Sequence, residues 1–321
     1  MSAARDQRRP DRPRRPTAPD GLLVVDKPQG WTSHDVVAKA RGLAGTRKVG
    51  HAGTLDPMAT GVLVLGVGRA TRLLTYVVGA DKEYTATIRL GVTTTTDDAE
   101  GELVARTDAS GVARSALDAA VADLTGPIQQ VPSAVSAIKV DGQRAYARVR
   151  AGEDVELAAR PVTVSRFDVH EVRRAPDADG SGVAALDVDV TVVCSSGTYI
   201  RALARDLGRA LGVGGHLTAL RRTRVGGYRI DGARSLEDLE AWPADVPLDT
   251  LPLAAAARAT FPVRELTEAE ARALSYGQRI PATGTGAGVT VAALTPEGAL
   301  AALLEDHGPH ARPSLVFTAA S

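Results

Sequence analysis

The chain switches between two hydrophobic periods, and the switches divide it into elements. Leu22-Leu23-Val24-Val25 is an apolar run stopped by Pro28, the pattern of a strand entering a turn. Val36, Val37, Ala40 and Leu43 then fall at helical spacing, with Thr32 or Ser33 placed to start the helix, Asp35 in its first turn and Gly45 placed to end it. Val62-Leu63-Val64-Leu65 is wholly apolar and predicts a strand buried on both faces, followed by a helix over residues 70–77. Residues 82–90 alternate: Tyr84, Ala86, Ile88 and Leu90 share one face, and Glu83, Thr85, Thr87 and Arg89 the other.

Farther on, the pattern predicts a helix over residues 115–124, a stretch over 130–140, a hairpin turn at Asp141-Gly142 and a helix near 144–150. Strands are expected at 161–172 and 183–194, separated by the Asp-, Gly- and Ser-rich loop 176–182. Ser196-Gly197-Thr198 is placed to cap a helix whose stripe is Ile200, Leu203, Leu207 and Leu211. Arg201 and Arg205, four apart, share a face beside that stripe, the usual arrangement of a solvated, salt-bridged surface. A strand region at 217–230 carries Arg221, Arg222, Arg224 and Arg229. Beyond a boundary near Thr250, a helix over 267–276 opens with Thr267, Glu268 and Glu270 and precedes short strands broken by Gly and Pro. The fold class read from these periods is α+β.

Composition narrows the setting more than the chemistry. At 321 residues, two domains are the natural expectation. The formal net charge is zero, yet it is a cancellation: residues 1–80 carry 13 Lys+Arg against 6 acids, residues 81–196 carry 12 against 19, and residues 197–229 carry 7 Arg against 1 Asp. Opposite-sign surfaces of that kind suit the steering of a polyanion onto one face, or pairing across the fold. The single cysteine, Cys194, excludes an internal disulfide and a multi-cysteine zinc site. Residues 1–19 are rich in Arg and Pro and read as a disordered basic arm without an apolar signal region, and no apolar run reaches the roughly 18 residues needed to span a bilayer. A cytoplasmic location without membrane association is expected.

The stretch from Gly50 to Gly61, GHAGTLDPMATG, holds three glycines, a proline, one histidine and one carboxylate between two regular elements. Asp56 precedes Pro57, which denies it the α conformation and presents its side chain from a stiff bend. A turn or cap is the commonest use of such a residue, and a nucleophile is the other. Gly66-Val67-Gly68 lacks a third glycine, since Thr71 stands there, and the position of the acid that a dinucleotide fingerprint requires falls near Thr87. A nicotinamide oxidoreductase is therefore poorly supported. There is no Gly-x-Ser-x-Gly elbow, no Walker loop and no His-Glu-x-x-His, which leaves a carboxylate as the candidate nucleophile, with Arg201 and Arg205 as candidate partners to keep it ionised.

Gly50-His51-x-Gly53-x-Leu55-Asp56-Pro57-x-Ala59-x-Gly61, with Asp26-Lys27-Pro28-x-Gly30-x-Thr32-Ser33 before it and Lys82-x-Tyr84 after it, closely resembles the TruB family of pseudouridine synthases. Gln130-x-Pro132-x-x-x-Ser136-Ala137-x-Lys139, Cys194-Ser195-x-Gly197-Thr198-Tyr199-Ile200-Arg201 and His216-Leu217-x-x-Leu220-Arg221-Arg222 extend the match in order over residues 20–230. The resemblance implies the pseudouridine synthase fold, a central and largely antiparallel sheet flanked by helices, over residues 20–249. A small, mainly-β, PUA-like domain over 250–321 is implied by a looser match at Thr267-x-x-Glu270-x-x-x-Leu274-x-x-Gly277-Gln278-x-Ile280.

The activity it implies is isomerisation of uridine to pseudouridine in the T-loop of tRNA, at position 55 in bacterial members, after the base is flipped out. No cofactor or metal is implied. By the same resemblance Asp56 is the catalytic nucleophile, Tyr84 the tyrosine that stacks on the base and Arg201 the arginine paired with the aspartate. His51 occupies space near the flipped nucleotide, Leu220 lines the pocket, and Tyr199, Lys27 and Lys139 match substrate-side positions. The expected partner is tRNA, with no obligatory protein partner and a monomer as the default. Guide-RNA-directed modification and a non-catalytic tRNA chaperone are the alternatives.

Overall fold

The computed structural model describes residues 15–133, 139–140, 143–144, 157–177 and 180–317. Eleven strands join in one sheet, whose main path runs Arg234–Ser235, Gly21–Lys27, Thr60–Val67, Gly215–Val225, Lys82–Leu90, Leu186–Cys194, Arg160–Arg174, Gly126–Gln130. Along this path Gly21–Lys27 pairs in parallel with Arg234–Ser235, Thr60–Val67 pairs in parallel with Gly215–Val225, and the other neighbours are antiparallel. This is the α+β, largely antiparallel architecture expected from the sequence. Among the described residues no helix is long and apolar enough to cross a membrane.

The Thr60–Val67 strand shows why its sequence is continuously apolar. Its alternate residues enter different cores. Leu63, Leu65 and Val67 pack with Val36, Val37 and Ala40 of the Ser33–Leu43 helix, whereas Val62 and Val64 pack with Leu22, Val225 and the C-terminal residues Ala292, Leu294, Leu303 and Phe317. That helix starts at a capping box: the Thr32 hydroxyl accepts from the Asp35 N–H, and the Asp35 carboxylate accepts from the Thr32 N–H. A third core lies under the Ile200–Ala210 helix, where Leu203, Ala204 and Leu207 cover Ile88, Leu90, Val190 and Leu217.

The C-terminal residues form a five-stranded sheet, ordered Val263–Glu265, Thr290–Leu294, Leu300–His307, His310–Val316, Ile280–Pro281, beside the Glu268–Ser275 helix, which opens with the expected Thr267 and Glu270 capping box. One face of this sheet shares a core with the large one, and the other packs its own core against Leu274 of that helix. Arg69 and Arg72 also donate to the carbonyls of Phe317 (2.8 Å) and Val316 (2.6 Å).

The structure departs from several sequence expectations. Within the expected disordered arm, residues 1–14 lie outside the described residues, but residues 15–19 pack on the body: Ala18 is buried and donates its N–H to the Ala44 carbonyl (2.9 Å). The helix expected over 70–77 is a 3₁₀ turn at Gly68–Arg72 followed by a short helix at Leu74–Gly79. The helix after Ser196-Gly197-Thr198 begins later, at Ile200 with Tyr199 as its N-cap, because the Thr198 hydroxyl donates to the Ser195 carbonyl (3.0 Å) instead of capping. Gln130 braces the N-cap residue itself, its side-chain oxygen accepting from the Tyr199 N–H (2.8 Å). Lys139–Val140 pairs with Gln143–Arg144, whereas the Asp141-Gly142 turn expected between them and the helix expected near 144–150 lie outside the described residues.

Gly208 tests how tightly the Ile200–Ala210 helix is seated. A Cβ there would stand 2.1 Å from the Gly214 carbonyl carbon and 2.2 Å from the Gly215 nitrogen, both backbone. Gly208→Ala gains about 1 kcal/mol of helix propensity against an overpacking cost of about 1–3 kcal/mol. With backbone against the new Cβ the cost wins, and urea denaturation is expected to show a net loss of up to about 2 kcal/mol.

Candidate active site

The loop between the Val49–His51 and Thr60–Val67 strands is held from below by side chains rather than by a strand ladder. Gly53 and Gly61 bracket it at φ of +85° and +99°, a region in which a side chain would be strained. At Gly61 a Cβ would also meet the Arg222 carbonyl oxygen at 2.2 Å. Ser33, buried at the start of its helix, bonds Leu55 twice: its hydroxyl accepts from the Leu55 N–H (2.9 Å) and donates to the Leu55 carbonyl (3.1 Å). Lys27, fully buried, donates to the carbonyls of Pro28 (3.0 Å), Trp31 (2.6 Å) and Pro57 (3.3 Å). Arg222, also buried, donates to Val62 (2.7 Å), Thr54 (3.3 Å) and Gly53 (3.2 Å). The loop is pinned on both flanks of Asp56.

The Asp56 carboxylate remains partly open, its side chain 37% exposed, and meets Nε of Arg201 at 3.0 Å. Arg201 is buried, with a side chain only 6% exposed. The far side of its guanidinium faces Asp98 (3.3 Å) and donates to the Thr96 carbonyl (3.0 Å). Asp98 in turn accepts from the Thr96 hydroxyl (2.5 Å) and the Glu100 N–H (3.0 Å). The expectation that Arg201 and Arg205 share a face holds, but only Arg201 reaches Asp56. Arg205 turns to Asp97 (3.4 Å) and Asp206 (3.1 Å). Arg201 is therefore a buried charge within a network, not a solvated surface arginine.

A pocket of about 250 Å³ opens in front of this pair, lined in part by Asp56, Tyr84, Tyr199, Arg201 and Leu220. Five of the sequence's candidate residues thus converge on one cavity. Tyr84 and Leu220 are nearly buried. Burial raises the Tyr84 phenol above its ordinary value, while the Arg222 guanidinium opposes that shift. Lys27 and His51 stand apart from the lining. Lys27 lies under the loop, where burial brings its ammonium down to about 8 against the opposing pull of Asp56. His51 lies edge-on to His34, with ring centroids 5.5 Å apart, and burial, followed by the His34 charge, lowers its imidazole below the usual value. Lys139 opens the Lys139–Val140 strand of the small hairpin.

Sequence reading missed five contributors. Lys82 and Arg222 line the same pocket, Ser33 and Gln130 brace its walls, and each lies within a motif singled out in the sequence. Strand alternation could have found Arg222, since it shares the face of Leu220. No local signal marks Asp98, whose contact with Arg201 spans 103 residues.

Residues 41–200 match TruB family pseudouridylate synthase (N terminal domain), residues 201–253 match tRNA pseudouridylate synthase B C-terminal domain, and residues 261–318 match tRNA Pseudouridine synthase II, C terminal. The tRNA pseudouridine synthase B of Arthrobacter sp. (strain FB24) is 65% identical over 305 residues, covering 92% of this chain and 96% of that protein. The protein of the same name from Streptomyces coelicolor is 59% identical over 303 residues, covering 94% and 98%. Among solved structures, a chain of an H/ACA RNP bound to a substrate RNA containing 2′-deoxyuridine superposes with a TM-score of 0.69 at 25% identity, over 93% of this chain and 85% of that one. A chain of a Cbf5-Nop10-Gar1 complex gives 0.68 at 26%, over the same shares.

Ser33 is the support whose removal is most readily isolated. Ser33→Ala leaves the buried Leu55 N–H and carbonyl without their partner, at an expected cost of about 1–3 kcal/mol. Hydrogen exchange over the peptide containing residue 55 is expected to accelerate, while the Gly215–Val225 strand keeps its protection.

Proposed function

The chain belongs to the TruB family of pseudouridylate synthases, and from that premise we propose that it isomerises the uridine at position 55 in the T-loop of tRNA to pseudouridine. The observation that carries this reading is the open Asp56 carboxylate, held by buried Arg201 at the mouth of a base-sized pocket walled by Tyr84 and Leu220. The relatives of 57–65% identity that carry a tRNA synthase name support tRNA as the substrate. A single flipped base fits such a pocket, whereas a stacked one cannot bring its glycosidic bond to a carboxylate.

In this mechanism the target uridine leaves the stack and lies against the Tyr84 ring. Asp56 faces the sugar. The C1′–N1 bond breaks, its electron pair goes to N1, and the carboxylate offsets or captures the positive character left on the sugar. The freed uracil turns, C5 bonds to C1′, the C5 proton is lost and N1 gains one. No atom or electron is gained overall, so the reaction needs neither an oxidant nor a group donor. Arg201 fixes the carboxylate, Tyr199 and Leu220 bound the base, and His51 with its neighbour His34 fills the space beside the loop as a shape residue. Lys27 holds the loop from beneath, and Lys139 belongs to the substrate side of the hairpin.

Residues 20–249 supply this site, and the PUA-like residues 250–321 add RNA contact from a fixed position, since their sheet shares a core with Val62 and Val64. The chain acts alone, as a cytoplasmic monomer. A guide-directed enzyme would require further RNA and protein, and a chaperone would bind without chemistry.

Release of tritium from [5-³H]uridine in an unmodified tRNA transcript, with the purified chain as the only added macromolecule, tests the reading. Wild type is expected to release the label, also after treatment with a chelator. Asp56→Asn is expected to lower the rate by at least about 10⁴-fold with tRNA affinity retained, as for loss of a nucleophile. His51→Gln is expected to keep activity within about 10²-fold of wild type, as for a residue that touches no reacting atom. No release by wild type would overturn the enzyme, and full release by Asp56→Asn would overturn the residue assignment.

A further inference from the structure

Two buried cations in the pocket have no carboxylate to answer them. Lys82 and Arg222 both line the cavity, at 6% and 1% exposure. Lys82 donates to the carbonyls of Val78 (2.8 Å) and Ala80 (2.5 Å), and Arg222 to those of Val62, Thr54 and Gly53. Among the described residues neither makes an ion pair. The nearby acids are engaged elsewhere: Asp81 with Arg224 (2.7 Å), and Asp56 and Asp98 with Arg201. The two cations converge at Gly53, where a Cβ would stand 3.8 Å from Nη1 of Arg222 and 3.9 Å from Cε of Lys82. Burial, then the Arg222 charge, brings the Lys82 ammonium down to about 8.

Buried charges are ordinarily paired, and like charges placed together without water are costly. Neutral carbonyls satisfy the hydrogen bonds here but not the charge. Of the charged side chains that line the pocket, Arg201, Lys82 and Arg222 are cations and Asp56 is the one carboxylate, which is taken by Arg201. Arg222 also sits directly opposite Tyr84 across adjacent strands, so cation and ring share one face.

Resting on the isomerase reading above, we propose that Lys82 and Arg222 form an anion subsite for the detached uracil. Breaking C1′–N1 leaves the electron pair on N1, spread onto the ring carbonyl oxygens, as a monoanion. This holds whether Asp56 attacks the sugar or assists elimination toward a glycal. The charge is absent from bound uridine and appears as the bond breaks, so the pair acts on the transition state and the intermediate rather than on binding. It also keeps the free base in the pocket while it turns, because leaving would separate the anion from both cations.

The test compares Lys82→Gln and Lys82→Arg under single turnover on two tRNAs, one with uridine and one with 5-fluorouridine throughout. The readout is disappearance of the N-linked nucleoside at the target position after nuclease digestion. Fluorine at C5 makes uracil a weaker base and a better leaving group, so it needs less help from a cation. Lys82→Gln is expected to slow uridine cleavage by about 10²-fold with tRNA affinity unchanged, and the penalty is expected to shrink by about tenfold on the fluorinated tRNA. Lys82→Arg is expected to restore most of the rate. Equal penalties on both tRNAs, a loss confined to affinity, or full activity in Lys82→Gln would each overturn the subsite. Because Arg222 also clamps the loop, Arg222→Lys and Arg222→Gln are read only against their thermal melts, and the Lys82 pair decides. Failure of wild type to isomerise either tRNA would overturn the functional reading and the subsite with it, whereas active wild type with equal penalties would overturn the subsite alone.

Discussion

Burying the Arg201 guanidinium is the constraint from which the site follows. A cation with a side chain only 6% exposed needs nearly all its donors met and its charge countered, and two separate segments converge on it to do so. Asp98, itself 3% exposed, meets one edge, the Thr96 carbonyl joins it, and Asp56 takes the solvent-facing edge. Removing a partner such as Asp98 from a pair this deep costs about 3–5 kcal/mol in comparable proteins. Asp56 contributes less to stability, since it is open to water. Its geometry is therefore inherited from an arginine that Asp98 and Thr96 also hold.

This arrangement explains what the sequence could and could not show. Periodicity found the Lys82–Leu90 strand and the Ile200–Ala210 helix because each buries one face along its own length. It could not find Asp98, because that pairing closes a loop of 103 residues and leaves no mark on its neighbours. The motif residues Asp56, Tyr84, Tyr199, Arg201 and Leu220 were legible as a set, and the structure brings them to one cavity. Arg221 and Arg222 looked alike as charge. Strand alternation separates them: Arg221 reaches outward to Asp26 (2.7 Å), whereas Arg222 turns inward to backbone carbonyls. The cap expected from Ser196-Gly197-Thr198 failed because the Thr198 hydroxyl turns back to the Ser195 carbonyl, while the N-cap residue Tyr199 is held by Gln130, 69 residues away.

The C-terminal sheet carries the same lesson at larger scale. Its strands read as a separate module, short and broken by glycine and proline, yet Ala292, Leu294, Leu303 and Phe317 close a core begun by Leu22, Val62 and Val64. Removing it would expose the outer face of the central strand, so the module cannot be regarded as a detachable binding head. Its position relative to the loop is fixed through one strand: Val62 and Val64 point toward the module, and the loop that carries Asp56 ends where that strand begins at Thr60.

The loop itself shows how one set of residues can serve both fold and chemistry. Its carbonyls at Gly53, Thr54 and Pro57 accept from the buried cations Arg222 and Lys27, so cationic side chains do the work that a neighbouring strand would do elsewhere. Neutral donors such as serine hold Leu55 equally well, as Ser33 shows. A hydroxyl has one hydrogen to donate, whereas Lys27 and Arg222 each hold three carbonyls at once, so the backbone alone already asks for an ammonium or a guanidinium at these positions. Of the two, Arg222 also lines the cavity, so under the proposed subsite its buried charge serves the reaction as well as the backbone. In that view the cations left without a carboxylate in the resting protein are the part of the site complementary to the reaction rather than to the substrate.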